Sequence, residues 1–295
     1  MYQFINIFGR QVSTLIVVYS IGGIIAAASF ILKREKYNYS FRKALAYALV
    51  LIGTGMIELK LMGIIRTAVM TIVSSGEFSP KPSVRIFGAI LFQPIVAFVL
   101  SRLTGDSFRK VIDSFAPETF LYFIVGKISC HLEGCCHGFP YEKGVESIIY
   151  GGRVFPVQLC EAASTAVVVA ILYLISKDKF KLRQGSLFPI GTIMYSVTRF
   201  FWEYFRYYDV VWEKEFFLGM NFWQTFCIIS IIVSVIWLVV LYSKAEYKNC
   251  SLQTNEKAPV AKAVARYDAY VFEKKEAKRK ERKAEKNIVH HKKRK

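Results

Sequence analysis

Acid is scarce in this chain: 22 Asp and Glu stand against 40 Lys and Arg over 295 residues, a net charge of +18. Such a surplus would suit a nucleic-acid binder, but no recognisable reading module accompanies it. There is no repeat of fixed period. A secreted disulfide framework is also missing. Of six cysteines, Cys160 and Cys227 fall inside predicted helices, Cys250 opens a polar tail, and only Cys130, Cys135 and Cys136 cluster. No second C-x-x-C half exists to complete a zinc module. The first apolar run lacks an A-x-A-like cleavage site and is too long for a signal-peptide core, so it is read as a retained span.

What the chain has is hydrocarbon. Hydrophobic residues make up 54% of it, and its mean hydropathy is +0.32, above that of ordinary soluble domains. Six runs approach the ~20 residues that cross a bilayer as a helix: 12–32, 44–65, 84–103, 157–175, 187–205 and 222–242. A shorter, more charged one covers 115–130. The expected fold is therefore all-α and polytopic, with seven transmembrane helices. The loops 33–43, 102–110 and 177–183 carry five, three and four basic residues. Those at 66–81, 139–153 and 206–220 carry two each. By the positive-inside rule the N-terminus lies outside and the C-terminus in the cytoplasm.

Two parts are expected, a membrane domain over 1–243 and a basic tail over 244–295. The tail holds 17 Lys and Arg against 7 Asp and Glu and has almost no apolar face. It is read as partly disordered or as a solvated helix, either lying on anionic lipid or only orienting the protein.

Ionisable groups inside an apolar chain need a reason to be there. In "YSVTRFFWEYFR", Arg199, Glu203 and Arg206 recur at i, i+4 and i+7, one helical face, with Tyr195 a turn earlier. Either Glu203 neutralises the arginines and locks packing, or it orients a guanidinium that grips a phosphate or carboxylate. Gln158 and Glu161 form an i, i+3 pair at the outer end of the fifth span, where Glu161 can alternatively serve the helix dipole. Glu58 and Lys60 are two apart on the second span and cannot both face inward.

The stretch "GKISCHLEGCCHG", Gly126 to Gly138, gathers Lys127, Cys130, His131, Glu133, Cys135, Cys136 and His137. Adjacent Cys-Cys and Cys-His residues cannot easily aim at one ion, so no metal is expected. A disulfide or redox pair remains open. The favoured reading is a substrate-lining turn in which Gly126, Gly134 and Gly138 permit a broken helix and close backbone approach.

These residues fall into a known pattern. The chain resembles the prolipoprotein diacylglyceryl transferase family, and "GKISCHLEGCCHG" matches without a gap the Cys-Cys form of its signature, as found in Gram-positive members. "VFPVQLCEA", "GTIMYSVTRFFWEYFR" and "GMNFWQTF" follow in the family's order, so the likeness covers nearly all of 1–243 and none of the tail. The resemblance implies transfer of a diacylglyceryl group from phosphatidylglycerol to the lipobox cysteine thiol of prolipoproteins, without a cofactor, in the bacterial plasma membrane. It assigns Arg199, Lys127 and Glu203 to catalysis. Arg206, Glu133, Gln158, Glu161, Tyr195, Gln224, Gly126, Gly134 and Gly138 would line the substrate. Prolipoprotein signal peptides and phosphatidylglycerol are the implied partners. Two positions depart from the pattern: the signature arginine is Lys127, and Phe87 stands where a catalytic-looking His or Tyr would be. His131 or His137 would be substitutes for proton transfer. The alternative is a non-catalytic phospholipid-binding or scaffold relative.

Overall fold

The computed structural model describes residues 4–7, 9–74, 87–147, 149–177, 180, 182–208 and 216–243. The basic tail, as well as parts of two long connections, lies outside them. Seven helices of at least 17 residues dominate the described chain: α1 (Thr14–Leu32), α2 (Phe41–Ser74), α3 (Phe87–Thr104), α4 (Phe108–Glu133), α5 (Val157–Ile175), α6 (Leu187–Glu203) and α7 (Phe222–Ser243). Five of them, α1, α2 over Phe41–Val69, α3, α5 and α7, are long and apolar enough to cross a membrane. The protein is thus mostly helical and suited to a multi-pass membrane setting. Rows of exposed Ile, Leu and Val along α1, α2 and α7 are the surface expected to meet lipid.

The other two helices explain themselves through pairing. α4 contains Lys110, Asp113, Glu118 and Lys127, all buried, a set that lipid would not accept singly. It contacts α1, α3, α5 and α6 and so forms the bundle's axis. Its charges are met from other elements. Glu118 pairs with Lys33 at the end of α1 and accepts from Ser29 Oγ at 3.2 Å. Asp106, just before α4, meets Lys43 at 2.6 Å, Lys110 at 3.2 Å and the Tyr47 hydroxyl at 2.6 Å. Asp113 reaches across to α6, accepting the backbone N–H groups of Gly185 at 2.6 Å and Leu187 at 2.9 Å. It thereby caps a helix whose own preceding residue, Ser186, makes no side-chain cap. Side chains of α4 and α5 press on the backbone of α6: a Cβ on Gly191 would run into the Phe120 ring and the Leu172 side chain.

Two short antiparallel hairpins correct the all-α expectation: β1 (Phe4–Ile7) with β2 (Arg10–Ser13), and β3 (Pro140–Ser147) with β4 (Gly152–Val154). The second has a register shift between Pro140 and Val145. Its sequence is mostly exposed and polar, so it shows no apolar alternation by which a strand could be recognised.

The segment expected at 115–130 is the middle of the longer α4. Gly126 lies buried within its unbroken course, so the chain does not break there; the break comes at Gly134, the left-handed C-cap. Of the pair on α2, Glu58 is 2% exposed and faces inward, while Lys60 is exposed.

Candidate functional site

Five buried ionisable side chains meet near the C-terminal end of α4, brought from three elements and one connection. Lys127 comes from α4, Glu161 from the first turns of α5, Arg199 and Glu203 from the last turns of α6, and Arg206 from just beyond it. None of the five side chains is more than 6% exposed.

Glu161 is the hub. Its carboxylate accepts from Lys127 and from Arg199. Arg206 grips it with a planar fork, Nη2 lying 2.9 Å from Oε1 and 2.8 Å from Oε2 and Nε 3.3 Å from Oε1. Glu203 binds Arg199 Nη2 at 2.6 Å, lies 3.4 Å from Arg206 Nε, and accepts the Tyr208 hydroxyl. Three cations therefore face two carboxylates. Direct ion pairing at this depth strengthens each attraction, because little water screens it.

Spacing placed Arg199 and Glu203 on one helical face, and they do share it. Arg206 reaches the cluster differently. α6 ends at Glu203, and Arg206 is held by an isolated β-bridge to Gly138. Gly138 is required there by close approach, since a Cβ would lie 2.6 Å from the Phe155 oxygen and 2.8 Å from that of Phe205.

The remaining residues singled out in the sequence divide. Gln158, fully buried, donates from Nε2 to the Cys135 carbonyl at 2.6 Å and so pins the turn after α4. Tyr195 is 1% exposed, ringed by Phe87, Phe120 and Phe123, and its hydroxyl has no hydrogen-bond partner among the described residues. Gly134 shapes the turn. Glu133 and Gln224 also bond to partners away from the ion cluster. Glu133 accepts from Ser13 Oγ at 3.3 Å. Gln224 exchanges bonds with Asn221, receiving its backbone N–H at 3.1 Å and donating its own to Asn221 Oδ1 at 2.8 Å, a capping box at the start of α7. Phe87 is stacked on Trp223 at 5.5 Å and edged by Tyr195 and Phe226, so the position is an aromatic packing site. His137 stacks with Tyr207 and its Nδ1 lies 3.0 Å from the Gly138 oxygen. The centrality of Glu161 and the trans-cap by Asp113 were not foreseen. Both are carboxylates at helix depth, and that alone was the available signal.

What the cluster can do chemically is hold an anion. A carboxylate gripped in a bidentate arginine fork, with a second guanidinium and an ammonium beside it, marks the place where a phosphate's oxygens would find the same donors. Comparison with known proteins shows the family. The family model described as "Prolipoprotein diacylglyceryl transferase" matches residues 6–240. A phosphatidylglycerol–prolipoprotein diacylglyceryl transferase of Dehalococcoides mccartyi is 27% identical over 243 residues, covering 79% of this chain and 90% of that protein. The enzyme of the same name from Clostridium novyi is 26% identical over 250 residues, with coverage of 78% and 90%. The four motif blocks, the buried cation cluster and a family match spanning most of the sequence together place this chain in the prolipoprotein diacylglyceryl transferase family.

Proposed function

We propose that the cluster around Glu161 holds the phosphate of phosphatidylglycerol while the chain moves a diacylglyceryl group to the thiol of a prolipoprotein cysteine. The observation that carries this is the uneven charge: Lys127, Arg199 and Arg206 against Glu161 and Glu203, all buried. A lock that only fastened helices would be served by balanced pairs, whereas a residual positive charge in a low-dielectric site favours an added anion.

In the reaction the sulfur bonds to the glyceryl carbon, and the thiol's proton passes to the departing phosphate oxygens or to solvent. The bond from that carbon to the phosphate oxygen breaks, and glycerol phosphate leaves with the charge that gathers on it. Arg199 and Arg206 present fixed N–H donors to that charge, which costs no reorganisation at the moment of reaction. Lys127 adds a point charge without a fork. Glu203 orients Arg199. Glu161 occupies the donors that the phosphate needs, so lipid binding competes with it, and Glu161 acts as a placeholder. Gln158 and Gly138 position the turn and Arg206 respectively. Glu133 and Gln224 support the surrounding elements.

In this reading all seven helices span a bacterial plasma membrane with the cluster on the outer side, the N-terminus outside, and the basic tail on anionic cytoplasmic lipid. The test is transfer of labelled diacylglycerol from phosphatidylglycerol to a lipobox peptide in proteoliposomes. Arg199→Ala is expected to cost about 10²–10³ in rate, the usual worth of one donor to a developing oxyanion. An unchanged rate refutes the assignment. Packing of Phe87 among aromatic rings favours the non-catalytic alternative; lipid binding by the natural chain without any transfer would establish that one instead.

A further inference from the structure

Beside the ion cluster lies a second group that the transfer chemistry does not use. The Sγ atoms of Cys130, Cys135 and Cys136 all lie within 4.8 Å of one another, and none is in a disulfide. Neighbouring residues in extended or helical backbone point their side chains apart, which is why the sequence argues against a shared ion. The backbone removes that objection. Gly134 (φ 79°) turns the chain back at the end of α4, and Cys136 itself adopts the left-handed conformation (φ 57°). For a residue with a side chain this costs about 1–2 kcal/mol. Strain of that kind persists where the surroundings impose it, and it clusters at ligand sites. Its effect here is to gather both Cys135 and Cys136 about Cys130, which hydrogen-bonds to each.

We propose that Cys130, Cys135 and Cys136 form a three-thiolate site for a thiophilic divalent cation, with Zn²⁺ the best match and a fourth position left for an exchangeable ligand. Zn–S bonds of ~2.3 Å in a tetrahedral site put the sulfurs about 3.8 Å apart, within reach of small χ1 adjustments from the observed arrangement. Three sulfur ligands suit zinc better than the oxygen-seeking Mg²⁺ or Ca²⁺.

The outer shell is also in place. Arg206 hydrogen-bonds to Cys136, and Gln158 holds the Cys135 carbonyl at 2.6 Å, so the ligand turn is tied to α5 and to the segment after α6. Loading is balanced: three thiols bind one Zn²⁺ and release three protons to solvent.

The test uses the full chain, purified under reductant, loaded with zinc and desalted. Elemental analysis is expected to give one zinc per chain. Cobalt in place of zinc is expected to give thiolate-to-metal charge-transfer absorption in the near ultraviolet. The triple variant Cys130→Ser, Cys135→Ser, Cys136→Ser is expected to lose both. Substoichiometric zinc in the natural chain, equal zinc in the triple variant, or a disulfide between any two of the three thiols in alkylated native membranes would each overturn the proposal. The transfer assay is read separately. Retained zinc without transfer counts against the phosphate site alone, and transfer without zinc counts against the metal site alone.

Discussion

Glu161→Gln is the sharpest single perturbation of this structure. The substitution keeps the side chain's shape and removes one negative charge from the midst of Lys127, Arg199 and Arg206. Glu203 is then the only remaining carboxylate of the cluster, and three buried cations share it. Breaking a buried ion pair by removing one partner typically costs about 3–5 kcal/mol, because the charge left behind is uncompensated. For a chain of this size each kcal/mol moves the midpoint by about 2–4 °C, so thermal unfolding in detergent should come roughly 6–20 °C earlier than in the natural chain. The same variant frees the donors that Glu161 occupies. Phosphatidylglycerol added to the micelles should therefore recover more of the midpoint in Glu161→Gln than it adds to the natural chain, since the lipid phosphate supplies the missing negative charge. Helical circular dichroism against temperature, with and without the lipid, reads both effects. A variant that melts with the natural chain would refute the hub role. A destabilised variant that phosphatidylglycerol does not restore, where it stabilises the natural chain, would refute the placeholder argument.

Other outcomes follow from the packing. Asp113→Ala leaves the N–H groups of Gly185 and Leu187 without their acceptor in a buried setting, and a loss of about 1–3 kcal/mol is expected in the same melt; no loss would mean that another group caps α6. Gly138→Ala forces a methyl against the carbonyl oxygens of Phe155 and Phe205, so Arg206 should be displaced and transfer should fall with little change in helix content, whereas full activity would show that the bridge does not position Arg206. Phe87→His puts a polar ring between Trp223, Tyr195 and Phe226, and should destabilise by about 1–3 kcal/mol without raising transfer; a gain in transfer would show that the position still addresses the substrate.

Much of this was legible in the sequence for a definite reason. Apolar runs of near-membrane length and i, i+4 spacing are local signals, and each of the seven long helices among the described residues overlaps such a run, as Arg199 and Glu203 share the expected face. The partners of those residues were not legible. Lys127 and Glu161 are 34 positions apart, and no periodicity within one helix says that they will meet. Arg206 fitted a helical count to i+7, yet the helix stops at Glu203 and a bridge to Gly138 does the positioning. The hairpin β3–β4 was read as loop because its residues are exposed and do not alternate. Gln224 stood in a matching block; its exchange of bonds with Asn221 at the start of α7 is a local role that the block did not reveal. The closeness of the three cysteine sulfurs was not legible either. It depends on a left-handed residue, Cys136, of a type that rarely adopts that conformation.

The bond from Asp113 to the start of α6 also bears on how the protein enters its bilayer. α4 brings buried charges and α6 is only 17 residues long, so neither makes a favourable lipid passenger alone. Asp113 satisfies the start of α6, and Glu161 of the intervening helix satisfies Lys127 at one end and Arg199 at the other. Each of the three segments carries the groups that make the next one acceptable to hydrocarbon. In the seven-span reading proposed above, insertion of this region is expected to be concerted, with α4 passing into the membrane only once α5 and α6 can supply its partners.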